Sequence, residues 1–179
     1  MKNALGIIEL GSIARGIESC DCMLKAAKVE LLRATSFCPG KYMVIIAGDT
    51  DGVTSSIKAG KICAAECLID TLLIPNIHPQ VIPAVSLTSQ ITEFKSVGVL
   101  EFYSVASAII AADTAAKAAN ITLIEVRVGF AIGGKGFVTL TGDVGSVRAA
   151  VDAASKSTEL LVGTSVIPHP DPRVLSSLL

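Results

Sequence analysis

The sequence has little that would carry the chain into a membrane, onto a polyanion or out of the cell. Half of it is hydrophobic (51%) and the mean hydropathy is +0.63, yet no apolar run approaches the roughly 18 residues that a membrane span requires. The surplus apolar surface is therefore expected between subunits. The formal charge is −1, and no block of Lys or Arg supplies the field that nucleic acid or anionic lipid would demand, so neither is an expected partner. No basic segment followed by an apolar core and a cleavage site opens the chain, and a cytoplasmic location is expected. The five cysteines are an odd number without the spacing of a small secreted disulfide framework, so they are expected as thiols.

Catalytic signatures are also lacking. Gly133-Gly134-Lys135 has neither the preceding Gly at Walker spacing nor a following Ser or Thr, and Gly136 comes instead. His78 and His169 each precede Pro, with no Cys or carboxylate cluster near them in sequence. A protein that is not an enzyme is expected. Cys20-x-Cys22 and Cys63-x-x-x-Cys67 lie inside helical patterns without zinc-knuckle spacing, and packing thiols are the simpler reading.

What is present is a duplication. Residues 5–31 fall on residues 97–123, with Gly6, Glu9, Ser12, Asp21, Lys25, Ala26, Ala27 and Leu31 reappearing at a constant offset. A second block, GKYMVIIAGD at 40–49, matches GKGFVTLTGD at 134–143 after a two-residue insertion in the second copy. Each copy reads β-α-β-β-α-β. A strand at about 4–10 precedes an N-cap at Ser12 and a helix at about 13–27 with apolar positions Ile13, Ile17 and Leu24. Strands near 29–36 and 42–48 flank Cys38-Pro39-Gly40, whose Pro and Gly break both. Asp49 or Thr50 caps a helix to about 68, and a short strand follows at 71–74. The predicted fold class is α+β: two tandem ferredoxin-like domains, mainly antiparallel sheets with helices on one face. Domain boundaries are expected at 1–77 and 95–179, with 78–94 as a linker and the Pro-rich tail from Pro168 extended.

ALGIIEL at the start, DCMLKAAKVELL at the end of the first helix, AGD before the second helix and the IPNIHP segment together resemble the bacterial microcompartment shell domain, in both halves. Ser36-Phe37-Cys38-Pro39-Gly40-Lys41 and Ile132-Gly133-Gly134-Lys135 make the likeness strongest to tandem-domain members from propanediol-utilising microcompartments. The resemblance implies a pseudo-hexameric homotrimer, tiled edge to edge with other shell proteins around enzymes that include redox enzymes. It implies that residues 37–41 and 131–135 face a central pore, lined by Phe37, Cys38, Pro39, Gly40, Ile132, Gly133, Gly134 and Lys135. It further implies that Lys25 and Lys117 lie on the rim. Finally, it implies a [4Fe-4S] cluster held by one Cys38 from each subunit, for electron transfer or cluster transport; three symmetric thiolates suit the three-fold axis of a cubane. An open pore for small metabolites and a soluble trimeric ligand sensor of ferredoxin-like build are the alternative functions.

Overall fold

The computed structural model describes residues 3–129, 132–176 and 178. It divides into two compact units, Met1–Ile77 with Gly129–Gly134 and His78–Val128 with Lys135–Leu179. The first runs β1 (Ala4–Leu10), α1 (Ile13–Ala26), β2 (Glu30–Phe37), β3 (Lys41–Gly48), α2 (Thr50–Ala64), a 3-10 turn (Ala65–Cys67) and β4 (Leu68–Pro75). Its strands lie in the order β2-β3-β1-β4, and every pairing is antiparallel. The second holds α3 (Val81–Val85), β5 (Ser96–Phe102), α4 (Val105–Ala118), β6 (Thr122–Val128), β7 (Gly136–Gly142), α5 (Val144–Ser155), β8 (Leu161–Ile167) and α6 (Pro172–Ser176). Its sheet repeats the order as β6-β7-β5-β8, again antiparallel. The α+β class read from the repeat is the observed one.

Local chemistry starts the helices where the sequence places them. Ser12 Oγ accepts from Arg15 N at 3.3 Å and Ser104 Oγ from Ser107 N at 3.4 Å, so both first helices open on a serine cap. Asp49 Oδ1 accepts from Gly52 N at 2.7 Å at the start of α2. Asp143, before α5, pairs instead with Lys95 Nζ at 3.1 Å. The first core joins Ile8, Leu10, Met23, Val44, Ile46 and Val53 from sheet and helices. Burial of such side chains contributes about 1.5–3 kcal/mol each.

Three expectations need correction. Ile13, Ile17 and Leu24 do not form the packed stripe of α1: Ile17 is 56% exposed, while Gly16, Ser19, Cys20 and Met23 turn inward. The buried face is made of Gly, Ser, Cys and Met, which a count of Ile and Leu at helical spacing does not pick out. Residues 78–94 contain α3, packed on α4 and β6. Pro83 does not prevent this helix, because it sits in the first turn, where an N–H has no intrahelical acceptor. The same reason admits Pro172 at the head of α6, in the tail expected to be extended. Among the described residues no helix is long and apolar enough to cross a membrane.

Candidate functional site

The turn between β2 and β3 carries Cys38, Pro39 and Gly40, all exposed, behind a buried Phe37. Gly40 adopts φ +80°, the left-handed conformation that closes a tight turn at little steric cost to glycine. Cys38 is a free thiol. Lys41 Nζ lies 3.6 Å from Glu9 Oε2 and 5.7 Å from the centre of the Phe37 ring. Burial raises the pKa of Glu9 above its ordinary value, and the Lys41 charge opposes that shift.

The turn that closes the β6–β7 hairpin belongs to the same compact unit, through Gly129–Gly134. Two of its glycines are there because nothing larger fits. A Cβ on Gly129 would stand 2.8 Å from Phe37 Cδ2, and one on Gly134 would stand 2.7 Å from the carbonyl oxygen of Cys38. Gly134, at φ +79°, therefore cradles the backbone of the cysteine and leaves its thiol exposed. Gly133 is exposed with nothing within 4 Å of its Cβ position, and Ile132 is half-buried. Lys135 turns to the second unit, where Nζ lies 2.9 Å from Glu101 Oε1 and 5.9 Å from the Tyr103 ring centre. Residue 131 lies outside the described residues. Phe37, Cys38, Pro39 and Gly134 are thus brought together in one turn cluster, and Lys135 is held by an ion pair beside it in sequence.

A cluster would find one thiol per chain at this turn. Among the described residues no three His, Cys, Asp or Glu side chains gather into a ligand set. The donor chemistry suits an iron-sulfur ligand, in that Cys38 is an exposed sulfur on a turn set by Gly134, but a complete set needs Cys38 from more than one chain.

Lys25 and Lys117, expected on the rim, differ in their surroundings. Lys25 Nζ meets Asp21 Oδ2 at 2.6 Å with both side chains well exposed. Lys117 Nζ meets Asp113 Oδ2 at 2.5 Å, but Asp113 is buried, and its Oδ1 also accepts the His78 backbone N–H at 2.7 Å. Gln80 adds a second tie in this unit. Its Nε2 donates to Ile121 O at 3.0 Å and its Oε1 accepts from Leu123 N at 2.8 Å, capping the margin of edge strand β6. His169 is exposed.

Of the remaining cysteines, expected as packing thiols, two meet across helices. Cys20 is buried, and burial pushes its thiol up. Cys67 sits half-buried in the 3-10 turn. Cys22 on α1 and Cys63 on α2 face one another, with Cys22 Sγ donating to Cys63 Sγ at 2.8 Å. Only the packing of α1 on α2 brings these two together, so no sequence spacing flagged them.

The BMC domain profile matches residues 4–77 and again residues 96–170. The chain is 46% identical over 173 residues to the bacterial microcompartment shell protein PduT of Citrobacter freundii, covering 95% of this chain and 94% of that protein. It is similar at TM-score 0.95 and 48% identity to the crystal structure of a microcompartment protein from Desulfitobacterium hafniense DCB, covering 98% of this chain and 99% of the other. The fused permuted hexameric shell protein MSM0275 from the RMM microcompartment shares the fold at TM-score 0.59 and 24% identity, with 86% of this chain and 82% of the other covered.

Proposed function

We propose that this chain, which belongs to the BMC domain family and carries that domain twice, builds a trimeric, six-domain tile with Cys38 at its centre. It is a structural shell protein of a bacterial microcompartment, not an enzyme. What goes beyond this is the assembly and the thiol. A ring of three chains alternates first and second domains and closes on itself, which leaves its outer rim to meet other tiles.

The repeat itself supports the ring. The segment that follows the first domain caps the margin of edge strand β6 through Gln80. Pro172–Ser176 follows the second domain at the matching place, and β2 is the edge strand that matches β6. In a closed ring the tail of one chain would serve β2 of the next. The exposed Ile13 and Ile17 on α1 are apolar surface of the kind that assembly covers.

The observation that carries the central site is the exposed Cys38 thiol on a turn whose backbone is seated against Gly134. Three such turns about a three-fold axis would offer three thiolates, which would hold a [4Fe-4S] cluster; bound there, it would supply one-electron redox chemistry in the shell wall. Cys38 supplies the ligand, and Gly134 sets its backbone. Anaerobic iron and acid-labile sulfide analysis with electron paramagnetic resonance tests this on the intact protein and on Cys38→Ser. Iron, sulfide and the signal vanish in the variant while the oligomer persists; equal iron in both proteins removes Cys38 from the role.

A further inference from the structure

We propose that Cys22 and Cys63 are a redox-active dithiol that closes to an intramolecular disulfide when a low-molecular-weight disulfide such as oxidised glutathione reaches the first domain. The two sulfurs lie 2.8 Å apart on facing helices, both half-buried, so solvent reaches the pair. A disulfide needs about 2.05 Å between sulfurs, so the helices need shift by less than about 1 Å. The pair is separate from the Cys38 turn, and no reading of the shell function depends on it.

The hydrogen bond assigns the order of events. Cys22 Sγ donates to Cys63 Sγ, so Cys22 is the sulfur whose proton is held in place. The Cys22 thiol is pushed up to about 11, first by that hydrogen bond to Cys63. Cys63 thiolate attacks one sulfur of the oxidant, breaks its S–S bond and releases one thiolate, leaving a mixed disulfide on Cys63. Without the neighbouring charge Cys22 loses its proton more readily and attacks Cys63 Sγ, expelling the second thiolate. In balance, two protein thiols give up two electrons and two protons, and one small disulfide leaves as two thiols.

The second domain lacks the device. By the registers of the serine caps and of Asp49 with Asp143, Thr114 and Ser157 stand where Cys22 and Cys63 stand. Their hydroxyls bond to their own helices, Thr114 to Ile110 O at 2.9 Å and Ser157 to Ala154 O at 2.7 Å. Helix packing of this kind therefore does not require facing thiols. A bond across 41 residues encloses the whole Cys38 hairpin and removes freedom from the unfolded chain, which raises the melting temperature of the oxidised protein by several degrees.

The full-length protein is incubated with oxidised glutathione, denatured, alkylated with iodoacetamide and digested for mass spectrometry. A Cys22–Cys63 cross-linked peptide appears, and both residues escape alkylation until a reductant is added. Cys22→Ser then accumulates glutathione on Cys63, whereas Cys63→Ser leaves residue 22 unmodified. The proposal is overturned if wild type yields no such peptide, or if the adduct of Cys63→Ser collects on Cys22. The wild-type measurement decides the matter even if a variant fails to fold.

Discussion

Asp21 and Lys25 stand in solvent on the first domain, while their counterparts Asp113 and Lys117 are anchored by a buried carboxylate that also accepts the His78 N–H. The two pairs descend from one repeated motif, yet an exposed pair is worth about 0–1 kcal/mol and releases its lysine easily. A partly buried, charge-assisted one does not. Lys25 is thus free to leave its partner, and Lys117 is committed to its own fold. The same divergence runs through the cores. Gly16 of α1 faces Tyr42, whereas the second domain puts Ala108 against Gly136. Likewise Gly60 faces Met23, where the second domain has Ala154 and Ala115. In both places the second domain has less side-chain volume than the first, so dense packing there has to come from closer approach or from other neighbours.

The largest contrast is expected in assembly. Lys25→Ala abolishes extended sheets seen by electron microscopy, and Lys117→Ala leaves them shortened but present; equal loss would erase the asymmetry between the rims. Next comes the packing swap. Gly16→Ala places a Cβ 2.5 Å from Tyr42 Cβ and is expected to cost about 1–3 kcal/mol in denaturant unfolding. Adding Tyr42→Gly recovers part of that loss, and additive costs would mean that the two positions do not share one space.

Asp113→Asn leaves Lys117 without its anion and is expected to cost about 1–2 kcal/mol, against under about 0.5 kcal/mol for Asp21→Asn. Matching losses would show that burial of Asp113 does not matter.

The smallest effect concerns Glu9, whose pKa burial raises above its ordinary 4.5. Between the unfolded value and that raised value the folded state holds the extra proton, so stability is highest below the window and falls as pH rises through it. Glu9→Gln removes this decline, measured as melting temperature against pH; an unchanged profile would mean that Glu9 ionises as freely folded as unfolded.

Much of the architecture was readable beforehand because its signals are local. Ser12, Ser104 and Asp49 cap helices where they were expected to, and the cap at Asp49 follows a strand that ends at Gly48. The turn cluster was legible in part: Cys38 and Gly134 were each placed on hairpin turns by Pro and Gly, but nothing in their spacing says that one carbonyl lies on the other's missing Cβ. The stripe of α1 was misjudged because Ile13, Ile17 and Leu24 are apolar yet face outward, while Gly16 and Ser19 pack inward. The helices at Val81 and Pro172 were missed because proline was read as a breaker, although a first turn accepts it.

From the sequence alone came the duplication, the β-α-β-β-α-β order, the antiparallel α+β class and the lack of catalytic groups. These follow from caps, turns and periodicities that act over a few neighbouring residues. The tertiary structure alone decided that Cys22 meets Cys63 and that Asp113 serves Lys117 and His78 at once. It alone decided which side of α1 is core. The Cys22–Cys63 and His78–Asp113 contacts join residues tens of positions apart, and their partners are chosen by how the elements settle on one another, a geometry that no local pattern encodes.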